Sequence, residues 1–318
     1  MKKLTIGSLF AGIGGIDLGF VQAGFETVWA NELNADACKT YCRNFPNVRL
    51  IEGDVRNLDI GSLPYVDVIT AGFPCQPFSI CGQKKGFDDA RGNLFFEIIR
   101  IVDALQPPVI FLENVAYLTE HDNGRTFITI HNELASRDYA IRYIVADACD
   151  YGIPQHRTRT YLVAFKSQES CDSFRFPDKC GLQKRIFDVI DKTVRAKDRY
   201  YVVKGTYEYN RLLSSMTDEN QIYRFSDYGI QASRDGISFT LKANMGTWRN
   251  RVPYMKDYFG IRKITPYECL ALQGFPNNFA FPTITAASAY KQCGNTVCVP
   301  IIKMIAHNII TCGLSAID

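Results

Sequence analysis

The chain lacks a run of apolar residues near the roughly 20 needed to span a bilayer, and Met1-Lys2-Lys3 leads into a strand-like segment without a secretory cleavage pattern. Membrane insertion and export are therefore not expected, and a cytoplasmic location is. Paired C-x-x-C spacing is also missing. The 11 cysteines are odd in number and mostly sit in apolar segments, and the 4 histidines are scattered, which argues against a disulfide framework and a zinc site. No internal repeat, low-complexity tract or long block of like charge interrupts the sequence. What remains is a globular composition, 318 residues with 47% hydrophobic and 22% charged content, enough for one large domain or two modest ones.

The net charge of +3 is unevenly placed. Residues 171 to 262 hold 17 Lys+Arg against 11 Asp+Glu and 15 of the 40 aromatics, while the remainder is mildly acidic. A basic, aromatic stretch with little periodicity suggests a nucleic-acid contact module, although an ordinary solvated surface has the same composition.

Hydrophobic pattern places short strands at 4–10, 27–32, 48–53, 66–72 and 108–114, alternating with helical stretches at 15–23, 35–45 and 94–105. Two later strands are expected at 140–147 and 159–165, and a last helix at 297–310 with Pro300 in its first turn. Alternation of this kind predicts a doubly wound α/β sheet with ligand sites at the carboxyl ends of its strands.

Three features at those strand ends carry chemistry. Phe10-Ala11-Gly12-Ile13-Gly14-Gly15 follows the first strand and opens a helix, but Asp17 stands where a dinucleotide fingerprint has its third glycine. Glu32 ends the second strand at the expected place of a ribose diol, and Asp54 follows the third, where an adenine amino group would lie. Either acid alone reads better as a helix cap. Together they outline an adenosine pocket without a diphosphate, which S-adenosyl-L-methionine fits. The third feature is Cys75, set between Pro74 and Pro77 after a β-branched strand. The prolines restrict the backbone and aim the thiol, as a nucleophile requires, while a small buried hydrophobe is the alternative reading.

In order along the chain, Phe10-Ala11-Gly12-x-Gly14-Gly15, Asn31-Glu32, Gly53-Asp54-Val55, Pro74-Cys75-Gln76, Arg91-Gly92-Asn93-Leu94-Phe95-Phe96, Glu113-Asn114-Val115, Gln155-x-Arg157-x-Arg159, Gln273-Gly274-Phe275-Pro276 and Gly294-Asn295-x-Val297 resemble the motifs of the DNA cytosine-5 methyltransferases, bacterial restriction-modification type. The resemblance spans nearly the whole chain, leaving residues 171 to 261 outside the shared pattern. It implies a Rossmann-like, class I S-adenosylmethionine-dependent methyltransferase fold with a mixed sheet. A catalytic domain of residues 1–170 plus 285–318 and a target-recognition domain with hinge of residues 171–284 are expected.

By the same resemblance, Cys75 adds to carbon 6 of a flipped-out cytosine, Glu113 meets N3 and the exocyclic amine, Arg159 meets O2, and Arg157 supports that pocket or a phosphate. Phe10, Gly12, Gly14, Gly15, Glu32, Asp54, Pro74, Leu94 and Asn295 are the expected cofactor contacts. Ser79, Lys84, Lys85 and Arg91 on a glycine-hinged loop, and Thr240, Leu241, Asn244 and Arg249 in the insert, are the expected contacts to double-stranded DNA. The implied protein is a monomer acting beside a cognate restriction endonuclease. A tRNA cytosine-5 methyltransferase with the same catalytic set is the alternative.

Overall fold

The computed structural model describes residues 3–74, 94–247 and 251–313. The chain divides into two compact units, Met1–Ala146 with Thr158–Asp178 and Ile301–Asp318, and Asp147–Arg157 with Lys179–Pro300.

The first unit is built on seven strands: β1 (Thr5–Leu9), β2 (Glu26–Glu32), β3 (Arg49–Glu52), β4 (Val68–Gly72), β5 (Val109–Val115), β6 (Ala140–Asp147) and β7 (Thr158–Phe165). Helices α1 (Gly15–Ala23), α2 (Ala35–Asn44), α3 (Leu94–Leu105), α4 (Arg125–Ala135) and α5 (Gln168–Ser173) accompany them. The strand order is β3-β2-β1-β4-β5-β7-β6. Pairings among β1 to β5 are parallel and β5 meets β7 antiparallel, so the sheet is mixed. β4 and β5 are buried along almost their whole lengths, as central strands covered on both faces must be. Their apolar runs explain why the sequence pattern located them. α3 follows the 3.6-residue period, burying Phe95, Ile98, Ile99 and Val102 against this core. The chain order reverses direction between β1 and β4, which opens the crevice at their carboxyl ends where such sheets bind ligands.

The second unit contains α6 (Ile186–Val189), α7 (Tyr207–Ser215), strands β8 (Tyr223–Ser226), β9 (Gly229–Ala232), β10 (Tyr254–Asp257) and β11 (Gly260–Lys263), then α8 (Pro266–Ala271) and α9 (Ala286–Asn295). The stretch without clear periodicity is thus two hairpins joined as a four-stranded sheet, β11-β10-β8-β9. Its strands are only four residues long, too short for alternation to stand out in sequence. One face covers a small core of Leu212, Tyr254 and Ile261 with Phe225 and Ile230. Arg262 of β11, next to Ile261 and so on the opposite face, is fully buried and forms ion pairs with Asp257 (2.6 Å) and Glu268 (2.7 Å). Pairing offsets the heavy cost of taking the guanidinium out of water.

The last helix, α10 (Val299–Thr311), buries Ile301, Ile302, Ile305 and Ile309. Ile302 occupies the space a Cβ on Gly19 of α1 would need, so these two helices approach at a glycine. Among the described residues, no single helix is long and apolar enough to cross a membrane.

Candidate active site

The glycine loop after β1 is a tight backbone structure. Phe10, Gly12 and Gly14 all adopt positive φ, and a Cβ on Gly14 would come within 2.3 Å of Phe45. Gly14 is the N-cap of α1, so only glycine satisfies both the turn and the close approach. Glu32 fastens the loop: its carboxylate accepts from the Gly12 N–H (2.8 Å) and from the Asn34 N–H (2.7 Å). Asn31 donates its side-chain amide to the carbonyls of Ile51 and Gly53, tying the ends of β2 and β3 together. At Gly12 and Gly53 the space beyond Cα is open, so a ligand can approach the main chain there.

Asp17 explains the missing third glycine. Its carboxylate is wholly buried and accepts from the hydroxyls of Ser8 (2.9 Å) and Tyr41 (3.0 Å), linking β1, α1 and α2 behind the loop. Burial raises its pKa from 3.8 to about 6. Asp54 caps the turn that follows β3 and pairs with Arg56, whose guanidinium lowers its pKa to about 2. It therefore remains an acceptor.

The second half of the site lies at β4 and β5. Gly72 is the register partner of Glu113, and an added Cβ would stand 3.6 Å from the Glu113 Oε2 and 3.2 Å from Ile16. Arg159 lies across from Val115, one diagonal step from Glu113 on the same face, and its Nε meets the Glu113 Oε1 at 3.2 Å. Both side chains are largely buried. Asn114 faces the other way and donates to the carbonyl of Phe73 (2.9 Å), fixing the chain as it enters Pro74. Sequence reading quoted Asn114 as a motif residue without a role, and it missed Gly72. The small residue at the end of a buried strand was the available signal.

Leu94 starts α3 and packs against the main core, and Asn295 is exposed at the end of α9 in the second unit. Cys75, Ser79, Lys84, Lys85, Arg91 and Arg249 lie outside the described residues.

Two expectations are corrected. Arg157 precedes β7 and belongs to the second unit, where it is 2% exposed and donates to the carbonyls of Leu241 (2.9 Å), Gly294 (3.1 Å) and Thr296. It is a staple of that unit, buried and engaged by main-chain carbonyls rather than presented to a base or a phosphate. Leu241 is likewise buried, with its N–H donated to the Gln155 Oε1 (3.2 Å), and Thr240 donates to the His156 carbonyl (2.6 Å). A buried Leu241 side chain offers nothing to DNA. Asn244 is exposed, as a contact residue must be.

The reversed strand order, the glycine loop with its strand-end carboxylates, and Glu113 beside Gly72 define an α/β methyltransferase of the nucleoside-cofactor-binding class. Residues 4–311 match the family model described as C-5 cytosine-specific DNA methylase. The chain is 46% identical over 310 residues to the Type II methyltransferase M.Bsp6I of Bacillus sp. (strain RFL6), covering 96% of this chain and 98% of that protein. Identity to the Type II methyltransferase M.HhaI of Haemophilus parahaemolyticus is 35% over 306 residues, covering 95% and 92%. Among solved structures, a Spodoptera frugiperda DNMT2 mutant shares the fold with a TM-score of 0.76 at 20% identity, covering 97% of this chain and 100% of that one. This chain belongs to the C-5 cytosine-specific DNA methylases and methylates carbon 5 of cytosine in DNA, with S-adenosyl-L-methionine as methyl donor.

The site fits that donor. Open main chain at Gly12 and Gly53 admits a ligand, and the Glu32 and Asp54 carboxylates supply acceptors suited to ribose hydroxyls and an adenine amine.

Proposed function

We propose that the chain is a sequence-specific type II modification enzyme. It acts on one cytosine within a short double-stranded DNA site, as a monomer and beside a restriction endonuclease that cuts the unmodified site. Its relatives at 35–46% identity are named Type II methyltransferases, which favours DNA over tRNA as substrate. Residues 171–284 form the target-recognition domain, supported by their excess of Lys and Arg and their aromatic content.

One observation carries the catalytic reading: Glu113 is held by Arg159 at the carboxyl end of β5, facing the glycine that precedes Phe73-Pro74-Cys75. Carbon 5 of cytosine is a weak nucleophile. Cys75 adds as thiolate to carbon 6, and the electron pair moves toward carbon 5 and N3. Glu113, as the protonated carboxyl, donates to N3 and accepts from the exocyclic amine, stabilising the charge that develops on the ring. Arg159 fixes one Glu113 oxygen and contributes positive charge beside O2. The bound cofactor would supply an electrophilic methyl group on a sulfonium, leaving as the neutral thioether once carbon 5 has taken that methyl. Loss of the carbon 5 proton to water then expels the thiolate and restores the aromatic ring. Glu32 and the loop from Phe10 to Gly15, with Asp54, Pro74 and Leu94, hold the cofactor. Ser79, Lys84, Lys85 and Arg91 meet the backbone of the strand whose base is turned out.

Incubation with duplex DNA carrying 5-fluorocytosine tests the reading, because that base stalls the reaction with the C–S bond intact. Wild type should form a complex stable to denaturing gel electrophoresis. Cys75→Ser should form none and lose at least about 10³-fold in turnover while keeping cofactor affinity. A Cys75→Ser variant with near-normal turnover would remove Cys75 from the reaction.

A further inference from the structure

Alternation along the β8–β9 hairpin separates two faces. Phe225 and Ile230 pack inward on the small core. Arg224 is on the opposite face, and its register partner across the hairpin is Gln231. Arg224 donates through Nε and Nη2 to the single Gln231 Oε1, at 3.3 and 3.2 Å, and its guanidinium lies 4.1 Å from the centre of the Phe239 ring. Beside them is a cavity of about 470 Å³ lined by His156, Gln231, Ser233, Arg234 and Phe239.

This half-buried cation is unlike the buried Arg262, which meets two carboxylates. Among the described residues no carboxylate reaches Arg224. Burial, and after it the charge of Arg251, lowers its pKa. An amide oxygen and an aromatic face only partly compensate the desolvation of a guanidinium, so strong acceptors are expected from a ligand. The stacked, clamped plane also specifies which acceptors. Engagement of Nε and one Nη2 hydrogen leaves the second Nη2 hydrogen and Nη1 as a planar pair of donors. Gln231, with Oε1 committed to Arg224, presents only its N–H groups. Adenine offers one acceptor and one donor on its major-groove edge, whereas guanine offers two acceptors, O6 and N7.

We propose that Arg224, clamped between Gln231 and Phe239, reads a guanine of the target site through O6 and N7, making it a specificity-determining residue. The assignment rests on residues 171–284 being the part of the chain that reads DNA.

Bisulfite sequencing of a randomised plasmid pool, methylated separately by wild type, Arg224→Gln, Arg224→Lys and Gln231→Ala, tests it. Wild type should reveal one recognition sequence. Arg224→Gln should lose about 5- to 100-fold in preference for guanine at one position while the others stay fixed; Arg224→Lys, which can still donate to O6 and N7 but without the clamped plane, and Gln231→Ala should lose less. The readout is a ratio among sites within one sample, so reduced stability does not imitate it. Arg224→Lys retains charge and stem if Arg224→Gln folds poorly. Uniform weakening at all sites with a shallower salt dependence would make Arg224 a phosphate contact and overturn the proposal, as would an unchanged sequence preference. A wild-type profile with methylated cytosines but no defined sequence would instead overturn the underlying reading of sequence-specific modification.

Discussion

The two units use their motif residues in opposite ways. In the first, polar side chains stand at the carboxyl ends of parallel strands: Glu32 grips the glycine loop, and Glu113 is oriented by Arg159. In the second, Gln155, Arg157 and Arg262 are buried and spent on main-chain carbonyls, an amide or carboxylates of their own unit. A charged residue in a shared motif is therefore not evidence of chemistry. Arg157 and Arg159 are two positions apart in one motif, yet one holds a small unit together and the other meets the candidate catalytic carboxylate. Small units have less apolar surface to bury and rely more on such internal bonds.

The contrast can be broken at its sharpest point. Arg157→Ala should cost about 3–5 kcal/mol of folding stability, since three buried carbonyls lose their donor, and urea denaturation would register the loss. Arg159→Ala removes one partner of the largely buried pair with Glu113 and should cost less, about 1–3 kcal/mol, while lowering turnover. Equal stability losses in the two variants would erase the distinction. Glu113→Gln is next in size. It keeps the shape of the side chain and should lower kcat by about 10²- to 10³-fold, with the urea midpoint nearly unchanged.

Asp17 sharpens the comparison from the other side, because it is a scaffold residue within the first unit. The native carboxyl keeps its proton up to about pH 6, while in an unfolded chain it ionises near 3.8. Between those values the native state binds more protons, so stability declines as pH rises from 4 to 7, by up to roughly 3 kcal/mol. Asp17→Asn does not titrate and should flatten that part of the profile. Chemical denaturation at pH 4, 5, 6 and 7 would detect the change. An unaltered slope would mean that Asp17 is not the group responsible.

Long apolar strands and the periodic helix from Leu94 to Leu105 were legible in sequence because burial on two faces, or on one stripe, leaves a pattern of period 2 or 3.6. The glycine loop and the strand-end acids were legible for a similar local reason. α4, with its half-exposed pattern, was not located, and neither were the four-residue strands of the second unit. Within the site, Glu113 and Arg159 could be nominated separately. Their contact depends on the antiparallel register of β5 and β7, which joins residues 46 positions apart.

By itself the sequence determined the order of elements, the family and the kinds of chemical group available, because hydrophobic period and motif spacing are local properties of the chain. Tertiary structure alone decided which of those groups are consumed by the scaffold and which face a ligand. Arg157 and Arg159 differ only in the surroundings that strand pairing and burial provide, and those surroundings are set by residues remote in sequence.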